Sequence, residues 1–248
     1  MRPPGRSRRG AVPRWLSAKD WDQHVDDLEQ MADSPGFREL RDRIIELAAL
    51  SAGEHVLDVG AGTGLLALAA APQVAHVSAL DDSPAMCAHL QRKLSRLGIT
   101  NAEVLMNTAT DLPLDDGAVD VVLSNYCLHH LSDAEKGRAL AEIRRVLRPG
   151  GRLVFGDMMF SLGVASRRDR AVLSLLVRRM IRRGPAGISR LLKNATRIAT
   201  GRWEHPASVG WWRDSLLDAG FVQVAVRALD HEGGIACARR PTVGEQPE

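Results

Sequence analysis

Aromatic residues are few in this chain, with one Tyr, four Phe and five Trp among 248 residues. Cysteine is scarce as well. Cys87, Cys127 and Cys237 are odd in number, far apart and in no C-x-x-C pair, which argues against a disulfide framework and against a cysteine zinc site. No apolar run approaches the roughly eighteen residues of a membrane span, and the opening residues lack the apolar block of a signal peptide. A cytoplasmic protein is therefore expected. Two stretches are nearly free of acid: residues 1–14 hold five Arg and no carboxylate, and residues 167–202 hold ten Arg and one Lys against Asp169 alone. Because the net charge of the whole chain is only +3, these are two basic segments on an acidic body.

What is present is concentrated in Val56 to Gly64, VLDVGAGTG. An apolar block containing one Asp reads as a buried parallel strand. It runs into glycine at every second position, which lets the backbone turn tightly and approach a ligand closely. Gly60, Gly62 and Gly64 give G-x-G-x-G, whereas the dinucleotide fingerprint needs its third glycine at the position of Leu65, so a pyrophosphate cradle is disfavoured. The next apolar run, 75–80, ends in Asp81, about twenty residues beyond the first glycine, where an acid at a strand end takes both hydroxyls of a ribose. Glycine turn and ribose acid together predict a nucleoside ligand.

Strands are predicted at 55–59, 75–80, 102–106, 119–124 and 152–156, with helices at 65–71, 84–97 and 132–147 between them. Pro84 after Ser83 suits a first helical turn, Gly98 a stop, and Ser132 with Glu135 a capping box. Residues 1–14 are expected to be a disordered basic tail and 15–248 a single domain. Within it, N-terminal helices fill 15–50, a cofactor-binding core 51–157, a basic helical insert 158–207, and a helix and hairpin 208–240. Strands alternating with helices predict an α/β, doubly wound parallel sheet with its ligands at the carboxyl ends of the strands.

Five further blocks follow the glycine turn in order: ALDDSPAM, ATDLP, VDVVLSNYCLHHL, EIRRVLRPGGRLVF and LLDAGF. With them the chain resembles the class I S-adenosylmethionine-dependent methyltransferases, especially the ubiquinone/menaquinone-biosynthesis branch, over roughly Trp21 to Phe155 and Trp211 to Arg239. The resemblance implies a Rossmann-like seven-stranded sheet of order 3-2-1-4-5-7-6 with the last strand antiparallel. It also implies S-adenosyl-L-methionine as cofactor, no metal and a small-molecule methyl acceptor. Asp58, Gly60, Ala61, Gly62 and Gly64 would line the methionine moiety, Asp81 would hold the ribose, and Met86 would lie near the adenine or ribose. Asn125 would approach the amino group and the reacting centre, and Asp82, Thr108 and Ala109 fall in the adenine region. Two positions depart from the pattern. Thr108 stands where relatives place an Asp for the adenine amino group, and Asp82 where they place an apolar side chain against the purine.

Methyl transfer from a sulfonium needs alignment and exclusion of water, and a base only where a hydroxyl or carbon acid must lose a proton. His129 and His130, after the fourth strand, and Asp157, after the fifth, are the candidate catalytic residues. The other reading makes the His pair structural or part of the cofactor shell and Asp157 a strand terminus. Tyr126 reads as a pocket wall or as packing. The insert, with Val172, Leu173, Leu176, Val177 and Met180 as an apolar stripe flanked by Arg178, Arg179, Arg182 and Arg183, reads as a lid over the substrate pocket or as a contact with an anionic membrane surface. Nucleic-acid binding is disfavoured, because no aromatic interrupts the basic stretch and NYCL replaces the Pro-rich tetrapeptide of many base methylases. The functional expectation is methyl transfer to oxygen, carbon or nitrogen of an apolar or lipid-like small molecule. Its alternatives are a non-catalytic S-adenosylmethionine-binding protein whose basic insert contacts a partner, and an RNA methyltransferase; oligomeric state is left open.

Overall fold

The computed structural model describes residues 21–161, 166–199, 204–242 and 244–245, so the expected tail at 1–14 lies outside the described residues. The chain divides into two compact units, a larger one of Trp21–Leu176 with Glu204–Glu248 and a smaller one that includes 177–199. The larger unit is built on seven strands: β1 His55–Val59, β2 His76–Asp81, β3 Ala102–Met106, β4 Val119–Asn125, β5 Leu147–Met158, β6 Val222–Ala228 and β7 Gly233–Arg239. Their order is β3-β2-β1-β4-β5-β7-β6, as expected. Pairing is parallel from β3 through β5, and β7 runs antiparallel to both its neighbours.

Alternate strand residues feed opposite faces, the period-two rule of a pleated sheet. Leu57, Val59, Leu80, Val122 and Phe155 pack with Leu140 and Ile143 of α5 (Asp133–Val146) and with Trp212 and Leu216 of α8 (Val209–Asp218). On the other face Val56, Val77, Ala79, Val121 and Leu123 pack with Leu40 and Ile44 of α2 (Pro35–Ala48), Leu66 of α3 (Leu65–Ala70) and Leu90 of α4 (Pro84–Leu97). α1 (Val25–Ala32) precedes them. Asp58 falls between Val56 and Val59 in this alternation, on the face that α3 covers.

Helix ends follow local chemistry. Ser83 Oγ accepts the Met86 N–H ahead of α4, which closes on Gly98, and Ser132 with Glu135 forms a full capping box on α5. The strand predicted at 152–156 is instead the middle of the longer β5, because the chain stays in the sheet through Arg148-Pro149-Gly150-Gly151 and rejoins β4 across a register shift. A Cβ on Gly151 would fall 2.9 Å from both the Arg148 and Asp120 carbonyls, so only glycine fits that irregularity.

The insert supplies α6 (Arg167–Ile181) and α7 (Gly184–Ala199). The first half of α6 belongs to the larger unit. There Asp169 and Val172 are buried, and the Arg168 guanidinium donates to the carbonyls of Met159, Leu229, His231 and Gly233. In the smaller unit Val177, Ile181, Ile188 and Leu192 are exposed apolar residues, and Arg178, Arg179, Arg182, Arg183, Arg190 and Lys193 are exposed as well. No helix among the described residues is long and apolar enough to cross a membrane.

Candidate active site

After Val59 the chain bends through Gly60, Gly62 and Gly64, all at positive φ (72°, 52° and 91°). Gly60 and Ala61 donate their N–H groups to the Leu80 carbonyl at 2.8 and 2.9 Å, which ties the bend to the end of β2. A Cβ on Gly60 would fall 2.2 Å from Cys127 Sγ, so the exit of β4 demands glycine there as much as the φ does. Asp81, closing β2, accepts Gly62 N–H on Oδ2 at 2.8 Å and Ser83 N–H on Oδ1 at 3.0 Å. Each oxygen keeps a second lone pair, leaving capacity for two hydroxyl donors.

Asp58 accepts Ala67 N–H at 2.9 Å in the first turn of α3. Burial pushes its carboxyl up to about 7, and the charge of Asp81 adds to the push. Asp81 is raised too, first by burial and then, against its two N–H donors, by Asp82 and Asp22. Beside Gly60, burial holds the Cys127 thiol well above its ordinary range, with Asp157, Asp81, Asp82 and Asp58 all acting in the same direction. Carboxylates from three strand ends thus converge on one place. At the end of β4, Asn125 Oδ1 is buried and has no hydrogen-bond partner; an unmade bond of this kind costs about 1–3 kcal/mol and marks where a ligand N–H fits.

β4 and β5 finish side by side, with Asn125 opposite Gly156. Tyr126 follows at φ 50°, a left-handed conformation that bulky residues avoid, fixed by its N–H bond to the Gly156 carbonyl at 2.8 Å. The chain then makes a short 3-10 turn over Leu128–His130. This brings His129 onto Asp157: Nδ1 lies 2.5 Å from Oδ1, and the His129 backbone N–H donates to Oδ2 at 3.0 Å. Asp157 is fully buried and also takes the Met158 N–H. With a carboxylate at Nδ1, the neutral imidazole carries its hydrogen there and its lone pair on Nε2. Of the three predicted catalytic residues, two form this pair, and the His130 ring lies 3.9 Å from that of His129.

Aromatic side chains gather around them. Trp21 meets His130 edge-on at 4.8 Å, Phe37 stacks on Tyr126 at 5.1 Å, and Tyr126 meets His129 at 6.1 Å. Four contributors escaped the sequence reading. Glu204 brings a carboxylate oxygen within 4.8 Å of His129 and His130 nitrogens. The next residue, His205, donates its N–H to the His129 carbonyl at 2.7 Å, and the fully buried Lys136 Nζ holds the His205 carbonyl at 2.5 Å with the Trp211 ring at 5.0 Å. Asp22 accepts Ser83 Oγ–H at 2.6 Å and Ala85 N–H at 3.1 Å, docking the start of the larger unit on α4. Lys136 left a signal, since it shares an apolar helical face with Leu140 and Ile143; Glu204 and Asp22 left none.

Of the residues expected near the adenine, Met86 is buried, while Asp82 and Thr108 are exposed and Thr108 Oγ1 meets Thr110 Oγ1 at 3.0 Å. Ala109 packs against the core, and the loop is fixed farther along by Arg145, which donates to the Leu112 and Leu114 carbonyls.

A mixed sheet of this order, with a glycine bend after β1 and an acid closing β2, defines a nucleoside-binding Rossmann-like α/β protein. Residues 56–151 match the methyltransferase domain family. An uncharacterized methyltransferase of Geobacillus sp. (strain WCH70) is 31% identical over 160 residues, covering 63% of this chain and 70% of that one. The demethylmenaquinone methyltransferase of Clavibacter sepedonicus is 43% identical over 103 residues, 42% of this chain and 40% of that one. A crystal structure of a SAM-dependent methyltransferase from Aquifex aeolicus shares the fold at 21% identity, with TM-score 0.61 over 88% of this chain and 97% of that one. The chain belongs to the class I S-adenosylmethionine-dependent methyltransferases. It spans about half the length of several curated relatives it matches, 42% of one from Streptomyces fradiae and 54% of one from Geobacillus kaustophilus.

The cofactor of this family carries a sulfonium, an ammonium and a ribose diol. The crevice suits all three: its field is acidic, Asn125 Oδ1 lacks a donor, and both Asp81 oxygens have acceptor capacity to spare.

Proposed function

We propose that the protein transfers a methyl group from S-adenosyl-L-methionine to a small, apolar or lipid-like acceptor whose proton passes to His129. The His129–Asp157 pair carries this reading, because a buried carboxylate that fixes the Nδ1–H tautomer leaves Nε2 as a base beside the cofactor crevice. When bound, the cofactor supplies a methyl group already attached to its leaving group. Asp58, Gly60, Ala61, Gly62 and Gly64 would hold the methionine end and Asp81 the ribose. Asp82, Met86, Thr108 and Ala109 would border the adenine, and Asn125 would accept from the ammonium. His130 and Glu204 would complete a polar wall around Nε2. Trp21, Phe37 and Tyr126 favour an apolar acceptor and the exclusion of water, in a chain with few aromatics to spend elsewhere.

Transfer of labelled methyl from the cofactor to small molecules of a cell extract tests the activity and names the acceptor. His129→Asn and Asp157→Asn should each lower kcat on the order of 10²-fold or more while cofactor affinity stays unchanged. Wild-type rates in His129→Asn would remove the base. Absence of binding by S-adenosylmethionine and S-adenosylhomocysteine would remove the whole reading.

The same reading extends to a partner. Exposed Val177, Ile181, Ile188 and Leu192 among six exposed cations favour peripheral contact with an anionic bilayer, where apolar groups enter the headgroup region and cations meet lipid charge. Sedimentation with phosphatidylglycerol vesicles, and not with phosphatidylcholine vesicles, is the expected result. Replacing Arg178, Arg179, Arg182 and Arg183 by Glu should abolish it.

A further inference from the structure

We propose that the margin of the sheet where β1, β2 and β3 begin, at the end opposite the cofactor crevice, binds a zinc-class divalent cation through His55, His76 and Glu103. His55 and His76 stand opposite each other in the β1–β2 register, and Glu103 stands opposite Ser78, two residues beyond His76. The three side chains therefore project from one face of three adjacent, rigidly paired strands. The two imidazole rings meet edge-on at 4.7 Å. His76 Nε2 and Glu103 Oε1 are 3.3 Å apart, about the ligand-to-ligand edge of a tetrahedron with metal bonds of about 2 Å. One ligating atom from each of the three residues lies within 4.8 Å of the others.

The surroundings match a metal site in two further respects. Ser78 Oγ donates to Glu103 Oε1 at 2.8 Å and meets His55 Nε2 at 2.9 Å, so a single hydroxyl now holds two of the three ligand groups toward a common centre. Access is open, since the side chains of His76 and Glu103 are 37% and 47% exposed. Two imidazoles and one carboxylate suit Zn²⁺ and its neighbours rather than Ca²⁺ or Mg²⁺, and water would fill the fourth position. A cation there would join three strand starts and stabilise the native chain by mass action.

The test is calorimetric titration of the metal-free full-length protein with Zn²⁺, together with thermal melting and the visible spectrum of the Co²⁺ form. We expect one saturable site, a higher Tm with metal and a tetrahedral Co²⁺ spectrum. His76→Ala and Glu103→Gln should each weaken binding tenfold or more while circular dichroism and S-adenosylhomocysteine affinity are unchanged. Glu204→Gln, at the other cluster that contains histidines, should leave Zn²⁺ affinity as it was. Because Glu103 is exposed, its variant reports on the site even if His76→Ala fails to fold. Absence of saturable binding, equal affinity in wild type and Glu103→Gln, or loss in Glu204→Gln overturns the proposal. The first two outcomes leave the methyl-transfer reading untouched, because His55, His76 and Glu103 lie at the opposite end of the strands from His129.

Discussion

Asp58 concentrates the electrostatics of the crevice in one group. Its folded carboxyl titrates at about 7 against an ordinary 3.8, so between those values the native state keeps a proton that the unfolded chain has released. Stability linked to this proton is therefore present at low pH and is lost as pH rises through about 7. Thermal melts at about pH 5 and about pH 9 should show Asp58→Asn losing less Tm than wild type over that interval. The same variant should bind the cationic cofactor more weakly, as read by calorimetry. Thr108→Asp should tighten cofactor binding severalfold by restoring a carboxylate at the adenine side; unchanged affinity would show that Thr108 costs nothing. The placement of the glycine bend and of Asp81 was legible because it follows from a strand, a turn and a strand end, and Asn125 was singled out by the family resemblance. Glu204 and Lys136 were not, since their meaning arises from contacts such as that between Lys136 and His205, 69 positions apart.

Among elements, those with local punctuation were readable to within a residue or two. Ser83-Pro84 and Gly98 bracket α4, and Ser132 with Glu135 opens α5, because caps satisfy orphan backbone groups whatever the tertiary setting. The long β5 was not readable, since Pro149-Gly150-Gly151 signals a turn and only the close approach of the Asp120 carbonyl reveals that the strand continues through it. The short return segment at 204–208, ahead of α8, carries no periodicity. It is held to the His129 carbonyl and to Lys136, so Lys136→Met should lower stability by about 1 kcal/mol, removing the bonds of Lys136 to the His205 carbonyl and to Asp133. Thermal denaturation reads the stability. Placement of the base reads out separately, as a fall in kcat larger than any change in KM.

At the scale of the whole molecule, the parallel α/β sheet was legible from the alternation of strands and helices and its strand order from the family resemblance, whereas the division into two units was not, because α6 runs unbroken across the boundary at Leu176. Charge told part of the story. The basic stretch reads as uniform, yet Arg168 is spent on four carbonyls around the β6–β7 turn. Replacing residues 177–199 by a flexible linker of equal length should leave cofactor affinity and Tm near wild type while ending vesicle sedimentation; loss of the fold would show that the larger unit depends on the smaller. Arg168 and Lys136 anchor the excursion at its exit and at its return, both within the larger unit. A stretch held at two such posts can change its sequence without disturbing the hydrogen bonds that secure the larger unit at either end.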